Sequence, residues 1–131
     1  MLNYFDLLEL EVDFNLSDSA INRAYLDLQA KFHPDKKTGD LERSALLNQA
    51  FVELKDPLKR AKHIFELNGM EIHRSTISSA LLSMMEKPEE NLKLRLEELR
   101  SFFQKNELSN AYDAWCDCQY LARKVAQSRT Q

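Results

Sequence analysis

Glycine and proline are scarce: two of the first and three of the second in 131 residues. A β-rich chain needs breakers between many strands, so the shortage argues against that class and for long helices with few interruptions. A surplus of positive charge is also missing. Lys and Arg number 18 against 21 Asp and Glu, a formal net charge of −3. Phosphate contact needs a cationic field, so no nucleic-acid partner is expected. No apolar run approaches the roughly 20 residues that cross a bilayer, so a soluble chain without a membrane partner is expected. Cysteine occurs twice, at Cys116 and Cys118. On a helix this C-x-C spacing points the thiols to different sides, which opposes a disulfide between them. Two thiols with no histidine near them in sequence do not make a zinc site. No metal and no cofactor are expected. Cys118 reads as a small core residue and Cys116 as incidental.

What is present is helical periodicity. With 44% hydrophobic and 30% charged residues, the chain can build one ordinary core or two small helical units. Residues 3–10 form a short first helix with Tyr4, Leu7 and Leu8 on one side. Ser17 caps a helix over about 18–32, in which Ile21, Ala24, Tyr25, Leu28 and Phe32 share a stripe. Arg23, Asp27, Ala30 and Lys31 take the far side. Asp40 caps a third helix to about Leu54, with Leu47, Ala50, Phe51 and Leu54 inward. Packing Tyr25, Leu28 and Phe32 against Leu47, Phe51 and Leu54 gives an antiparallel hairpin. Asp56-Pro57 reads as a cap followed by proline in the first helical position, and Gly69 ends that helix. Lys55, Lys59 and Arg60 read as a solvated face.

The periodic pattern lapses from Gly69 to Ser75, which sets the border between units at 1–69 and 76–131. A helix over 76–87 carries Leu81, Leu82, Met84 and Met85. Pro88 breaks it or opens the next helix, which runs to about Gln104 with Leu92, Leu96, Leu99 and Phe103 inward. Glu89 and Lys93 are spaced for an i,i+4 pair. After a turn at Asn106–Ser109, Ala111, Trp115, Cys118, Ala122 and Val125 form a bundle seam. The fold class is therefore all-α, an N-terminal helical hairpin with short flanking helices and a C-terminal three-helix bundle.

The chemistry-bearing motif is His33-Pro34-Asp35, placed directly after the second helix. Pro34 stops that helix, because it lacks an N–H and clashes with the preceding turn. An imidazole and a carboxylate then stand side by side in a loop that also holds Lys36 and Lys37. As a catalytic base His33 has no recognisable nucleophile or oxyanion donors beside it. As a metal ligand it shares no ligand spacing with His63 or His73. As a bare helix-end residue its protonated form would suit the macrodipole. A docking tip for a partner protein accounts for the motif best, and no enzymatic activity is expected.

The first unit resembles a J-domain, and the whole chain is similar to the HscB family, J-type co-chaperones of iron–sulfur cluster assembly. The matching residues run from Asn3-Tyr4-Phe5 through Ala24-Tyr25, Leu28-Gln29 and Phe32-His33-Pro34-Asp35-Lys36. They continue through Asn48-Gln49-Ala50-Phe51 and Leu54-Lys55-Asp56-Pro57-Leu58-Lys59-Arg60-Ala61 to Leu67-Asn68-Gly69. The HPD triplet is common to J-domains, and the LKDPLKRA string is specific to the HscB branch. Over residues 76–125 the similarity rests on helix order and a few positions.

The resemblance implies that His33, Pro34 and Asp35 stimulate ATP hydrolysis by an HscA- or DnaK-type chaperone. Arg23, Lys31, Lys36 and Lys37 would steer the approach to its acidic surface, although Asp18 and Asp27 dilute that positive face. It implies further that the second unit binds an IscU-type scaffold through Leu81, Leu82, Met85, Glu86, Glu89 and Glu90, joined by Tyr120 and Leu121. Ser83 and Pro88 depart from the family pattern there. A monomer in a bacterial cytoplasm is expected, since the N-terminus is acidic and lacks zinc-type cysteines; a processed mitochondrial form remains open. Two rivals stand beside this reading: a general protein-folding J-protein, and a small helical DNA-binding protein. The missing Gly/Phe-rich linker and CxxC repeats oppose the first, the acidic balance the second.

Overall fold

The computed structural model describes residues 2–32, 40–73 and 79–129. Among them every regular element is a helix: α1 Tyr4–Leu7, α2 Asp18–Phe32, α3 Leu41–Lys55, α4 Pro57–Leu67, α5 Ser79–Met84, α6 Pro88–Gln104 and α7 Leu108–Arg129. They cluster into two compact units, Met1–Met70 and Glu71–Gln131. No helix among the described residues is long and apolar enough to cross a membrane.

Helix starts follow the side-chain oxygens. Asn3 accepts from the N–H groups of Phe5 and Asp6, Ser17 Oγ from Ala20 (3.1 Å), Asp40 from Arg43 (3.1 Å) and Asp56 from Leu58 (2.9 Å). Each satisfies a first-turn donor that has no partner inside its helix. Pro57 and Pro88 sit in the first turn of α4 and α6, where their missing N–H costs nothing.

Three helix ends share one device. After α1, α4 and α6 the chain turns through a left-handed residue, Glu9 (φ 56°), Gly69 (φ 73°) and Asn106 (φ 58°). The N–H groups of Leu10, Met70 and Glu107 then reach back to the carbonyls of Phe5, Phe65 and Phe102 at 2.8, 3.0 and 2.8 Å. This is the Schellman arrangement, which satisfies the last free carbonyls of a helix. Asparagine tolerates the left-handed region, but glutamate has no such excuse. Glu9→Gly should therefore stabilise unit 1 by about 0.5–1 kcal/mol, net of the added freedom of the unfolded chain. A rise in the urea midpoint of far-UV CD would register it.

In unit 1, α3 packs against α1, α2 and α4. Its core is Phe5, Leu8, Phe14, Ile21, Leu28, Leu47, Ala50, Leu54, Ala61, Ile64 and Phe65. Three expectations need correcting. The inward face of α1 is Phe5 and Leu8, while Tyr4 and Leu7 are half-buried. Tyr25, Phe32 and Phe51 are half-buried at the rim of the hairpin rather than central. Arg60 is buried, not solvated. Its Nε donates to Phe14 O (2.9 Å) and its Nη1 to Leu54 O (2.7 Å), and the guanidinium lies 5.0 Å over the Phe14 ring. Leu54 O is among the last carbonyls of α3, so Arg60 both bonds the helix end and sits at its negative pole.

In unit 2, α6 and α7 pack side by side. Trp115, Leu99, Leu81, Leu121, Cys118, Ala111 and Ala114 are almost wholly buried, with Cys116 and Val125 close behind. The seam of α7 thus passes through Leu121, and Ala122 is half-buried. Both cysteines are free and buried, so Cys116 belongs to the core as well. Burial pushes the Cys118 thiol up to about 12, which leaves it protonated and inert. Arg95 of α6 bridges to Asp117 of α7 at 2.9 Å and to Glu98. Burial opposes its charge, but the hydrogen bonds to Asp117 and Glu98 outweigh it and hold the pKa above the usual arginine value.

Candidate functional site

The first candidate surface is the hairpin of α2 and α3. Its two helices are held by an apolar seam and, on one side, by a polar clasp. Ser44 Oγ donates to Gln29 Oε1 (2.8 Å), and Gln29 Nε2 donates to Asn48 Oδ1 (2.8 Å) and to Ser44 O (3.2 Å). The Tyr25 hydroxyl donates to the same Asn48 oxygen, and its ring stacks on Phe51 with centroids 4.2 Å apart. Such a network fixes register, because any slip leaves several polar groups unpaired. Sequence reasoning read this seam as purely apolar. The available signal was the pair of i,i+4 spacings, Tyr25–Gln29 and Ser44–Asn48, which bring the four side chains to facing positions.

At the open end of the hairpin the backbone N–H of Asp40 donates to Phe32 O at 2.9 Å. The Arg43 guanidinium lies 4.8 Å over the Phe32 ring. These contacts bring the start and finish of the intervening segment together. His33, Pro34, Asp35, Lys36 and Lys37 lie in that segment, outside the described residues. Arg23 and Lys31 are exposed on the outer face of α2, along with Asp18 and Asp27.

The second candidate surface is the corner of α5 and α6. Leu82 is 60% exposed, and Glu86, Glu89 and Glu90 are exposed. Met85 and Tyr120 are half-buried, with the Arg123 guanidinium 5.5 Å from the Tyr120 ring. Leu81 and Leu121 require correction. They are 1% and 0% exposed, so neither can offer its side chain to a partner. The reason is helical phase: Leu81 lies about 100° from Leu82, and Leu121 completes the seam begun by Trp115 and Cys118. Asn91 sets the corner itself, its amide donating to Met84 O (2.9 Å) and Lys87 O (3.0 Å) across the break at Pro88. Glu89 faces Arg129 at 3.5 Å rather than Lys93. Among the described residues no group of three His, Cys, Asp or Glu side chains could hold a metal ion.

The DnaJ domain family matches residues 3–63. The co-chaperone protein HscB homolog of Shewanella amazonensis is 37% identical over 83 residues, covering 57% of this chain and 48% of that protein. The chain thus spans about half the length of this relative. The HscB homolog of Shewanella halifaxensis is 32% identical over 124 residues, 87% of this chain and 70% of that protein. Solved structures share the fold. Chaperone HscB from Vibrio cholerae has a TM-score of 0.76 at 24% identity, covering 98% of this chain and 97% of its own. Human co-chaperone protein HscB has a TM-score of 0.81 at 19% identity, covering 99% and 82%.

Proposed function

Because the chain belongs to the HscB family of J-domain co-chaperones, we propose that it stimulates ATP hydrolysis by an HscA- or DnaK-type chaperone and delivers an IscU-type scaffold to it. The reading rests chiefly on one observation. The His33-Pro34-Asp35 triplet joins two helices that pack against each other, and the residues on either side of its segment are tied by the Asp40–Phe32 hydrogen bond. In this reading residues 1–69 form the chaperone-directed unit. Arg23, Lys31 and Lys36 steer the encounter. Residues 76–131 form the scaffold-directed unit, with Leu82, Met85, Glu86, Glu89, Glu90 and Tyr120 as its contact set. An exposed leucine beside a methionine suits an adaptable apolar contact, and the carboxylates around it favour a cationic rim on the partner. The chain acts as a monomer in the bacterial cytoplasm and performs no chemistry itself. It binds the hydrolysis-competent state of the chaperone more tightly than the resting state, which is the one way a ligand can shift that equilibrium.

The test is steady-state ATP hydrolysis by purified chaperone with and without this protein. The wild-type chain should raise the rate, and scaffold should raise it further. His33→Gln should return it to the basal value while leaving the far-UV CD spectrum unchanged. Full stimulation by His33→Gln would refute the tip assignment. Recovery of unfolded clients but no scaffold in pull-downs would instead favour a general folding role.

A further inference from the structure

We propose that His63 is a proton-operated latch that fastens α1 to α4. The imidazole Nε2 accepts the backbone N–H of Tyr4 at 3.1 Å, and Tyr4 is the first residue of α1. That donor has no partner inside its own helix. A ring nitrogen can accept only while it carries no proton, so this bond requires the neutral tautomer protonated on Nδ1. The ring is also sandwiched against α1. Its centroid lies 4.5 Å from that of Tyr4 and 5.8 Å from that of Phe5. Tyr4 is held a second time by its hydroxyl, which accepts from Gln49 Nε2 of α3 at 2.8 Å.

Protonation of His63 would break this joint directly. It would replace the acceptor by a donor that faces the Tyr4 N–H. That pushes α1 away and leaves the α2–α3 seam untouched. The surroundings make the event selective. Glu53 on α3 and Glu66 on α4 favour the charged ring, and Lys59 and Lys62 of α4 share its cavity. Burial outweighs the two carboxylates and holds the His63 pKa below the ordinary histidine value. The ring is 4% exposed, but it lines a cavity of about 370 Å³ with Leu2, Tyr4 and the four charged side chains, which gives protons a path to it.

The sign follows from linkage. With the native pKa lowered, the unfolded or opened state binds more protons below about pH 6.5. The latch is therefore fully closed above that value. It weakens as the pH falls from there to the native pKa.

Amide hydrogen exchange and His63 ring titration by NMR on the full chain test the proposal. Exchange is corrected for its intrinsic pH dependence. Protection of the Tyr4 amide should fall as the pH is lowered from roughly pH 7.5 to pH 5, while Leu47 and Ala50 in α3 keep theirs. The ring should titrate below its ordinary midpoint. In His63→Gln the side-chain oxygen can still accept from Tyr4 but cannot titrate, so protection of Tyr4 should stay flat with pH. Three results would overturn the latch: constant wild-type protection at Tyr4, an equal loss at Leu47 and Ala50, or the same pH response in His63→Gln. Should that variant fail to fold, the wild-type ring midpoint decides, and a value at or above the ordinary one rejects the proposal.

Discussion

An Arg60→Met chain should lose about 3 kcal/mol or more of the stability of unit 1. The substitution keeps an unbranched apolar stem, so the packing around the stem is largely retained. What disappears is the guanidinium. Phe14 O and Leu54 O, bonded at 2.9 and 2.7 Å, would stay buried without the charged donor each now has. A hydrogen bond to a charged group is worth roughly 1.5–3 kcal/mol, and the stacked contact with Phe14 is lost as well. Phe14 belongs to the connection between α1 and α2, and Leu54 to the end of α3, so one side chain ties a connecting segment to a helix terminus. Arg60→Lys should recover only part of the loss, because an ammonium lacks the planar fork that serves two carbonyls at once. Urea unfolding followed by far-UV CD measures the change. A loss under about 1 kcal/mol for Arg60→Met would show that water replaces the guanidinium without penalty.

Trp115→Ala should destabilise unit 2 by about 3–5 kcal/mol. Trp115 is the single tryptophan of the chain and is 1% exposed. It sits in the α7 seam with Ala111, Ala114 and Cys118, and its ring centroid lies 5.6 Å from that of Tyr112. Small neighbours cannot move in to fill the space, so removal of the indole leaves a cavity as well as a transfer cost. Tyr112 matters here for a second reason. Its hydroxyl accepts from the His73 N–H (2.9 Å) and donates to His73 O (3.2 Å), anchoring the start of unit 2 to α7. Trp115→Phe keeps an aromatic contact for Tyr112 and should cost less. Chemical unfolding by CD suits these variants, and wild-type tryptophan emission reports the core of unit 2 alone. A Trp115→Ala chain as stable as wild type would mean that α6 and α7 close over the gap.

Features governed by neighbours in sequence could be read in advance. Ser17, Asp40 and Asp56-Pro57 mark helix starts because each acts within three residues of itself. Gly69 marks an end for the same reason. Most of the long stripes of α3 and α7 was legible because several turns average out errors of phase, although Phe51 and Ala122 at their edges are half-buried. The four-residue α1 offers no such average: of Tyr4, Leu7 and Leu8 only Leu8 faces inward, and its companion is Phe5. Arg60 and His63 were hidden for a different reason. Phe14, one partner of Arg60, lies 46 residues away and Tyr4, the partner of His63, lies 59 away, and nothing local distinguishes a buried cation from a solvated one. At the second surface, similarity assigned Leu81 and Leu121 by position. A shift of one residue around a helix was enough to turn both inward. The His33-Pro34-Asp35 motif needed no structure to be noticed, and its side chains fall outside the described residues.

The Asp40–Phe32 hydrogen bond has a consequence for tolerance to substitution. The two stems already meet through their own backbone, backed by the Arg43–Phe32 contact. Their register is set outside the segment between them, so replacing residues of that segment at equal span should leave unit 1 folded.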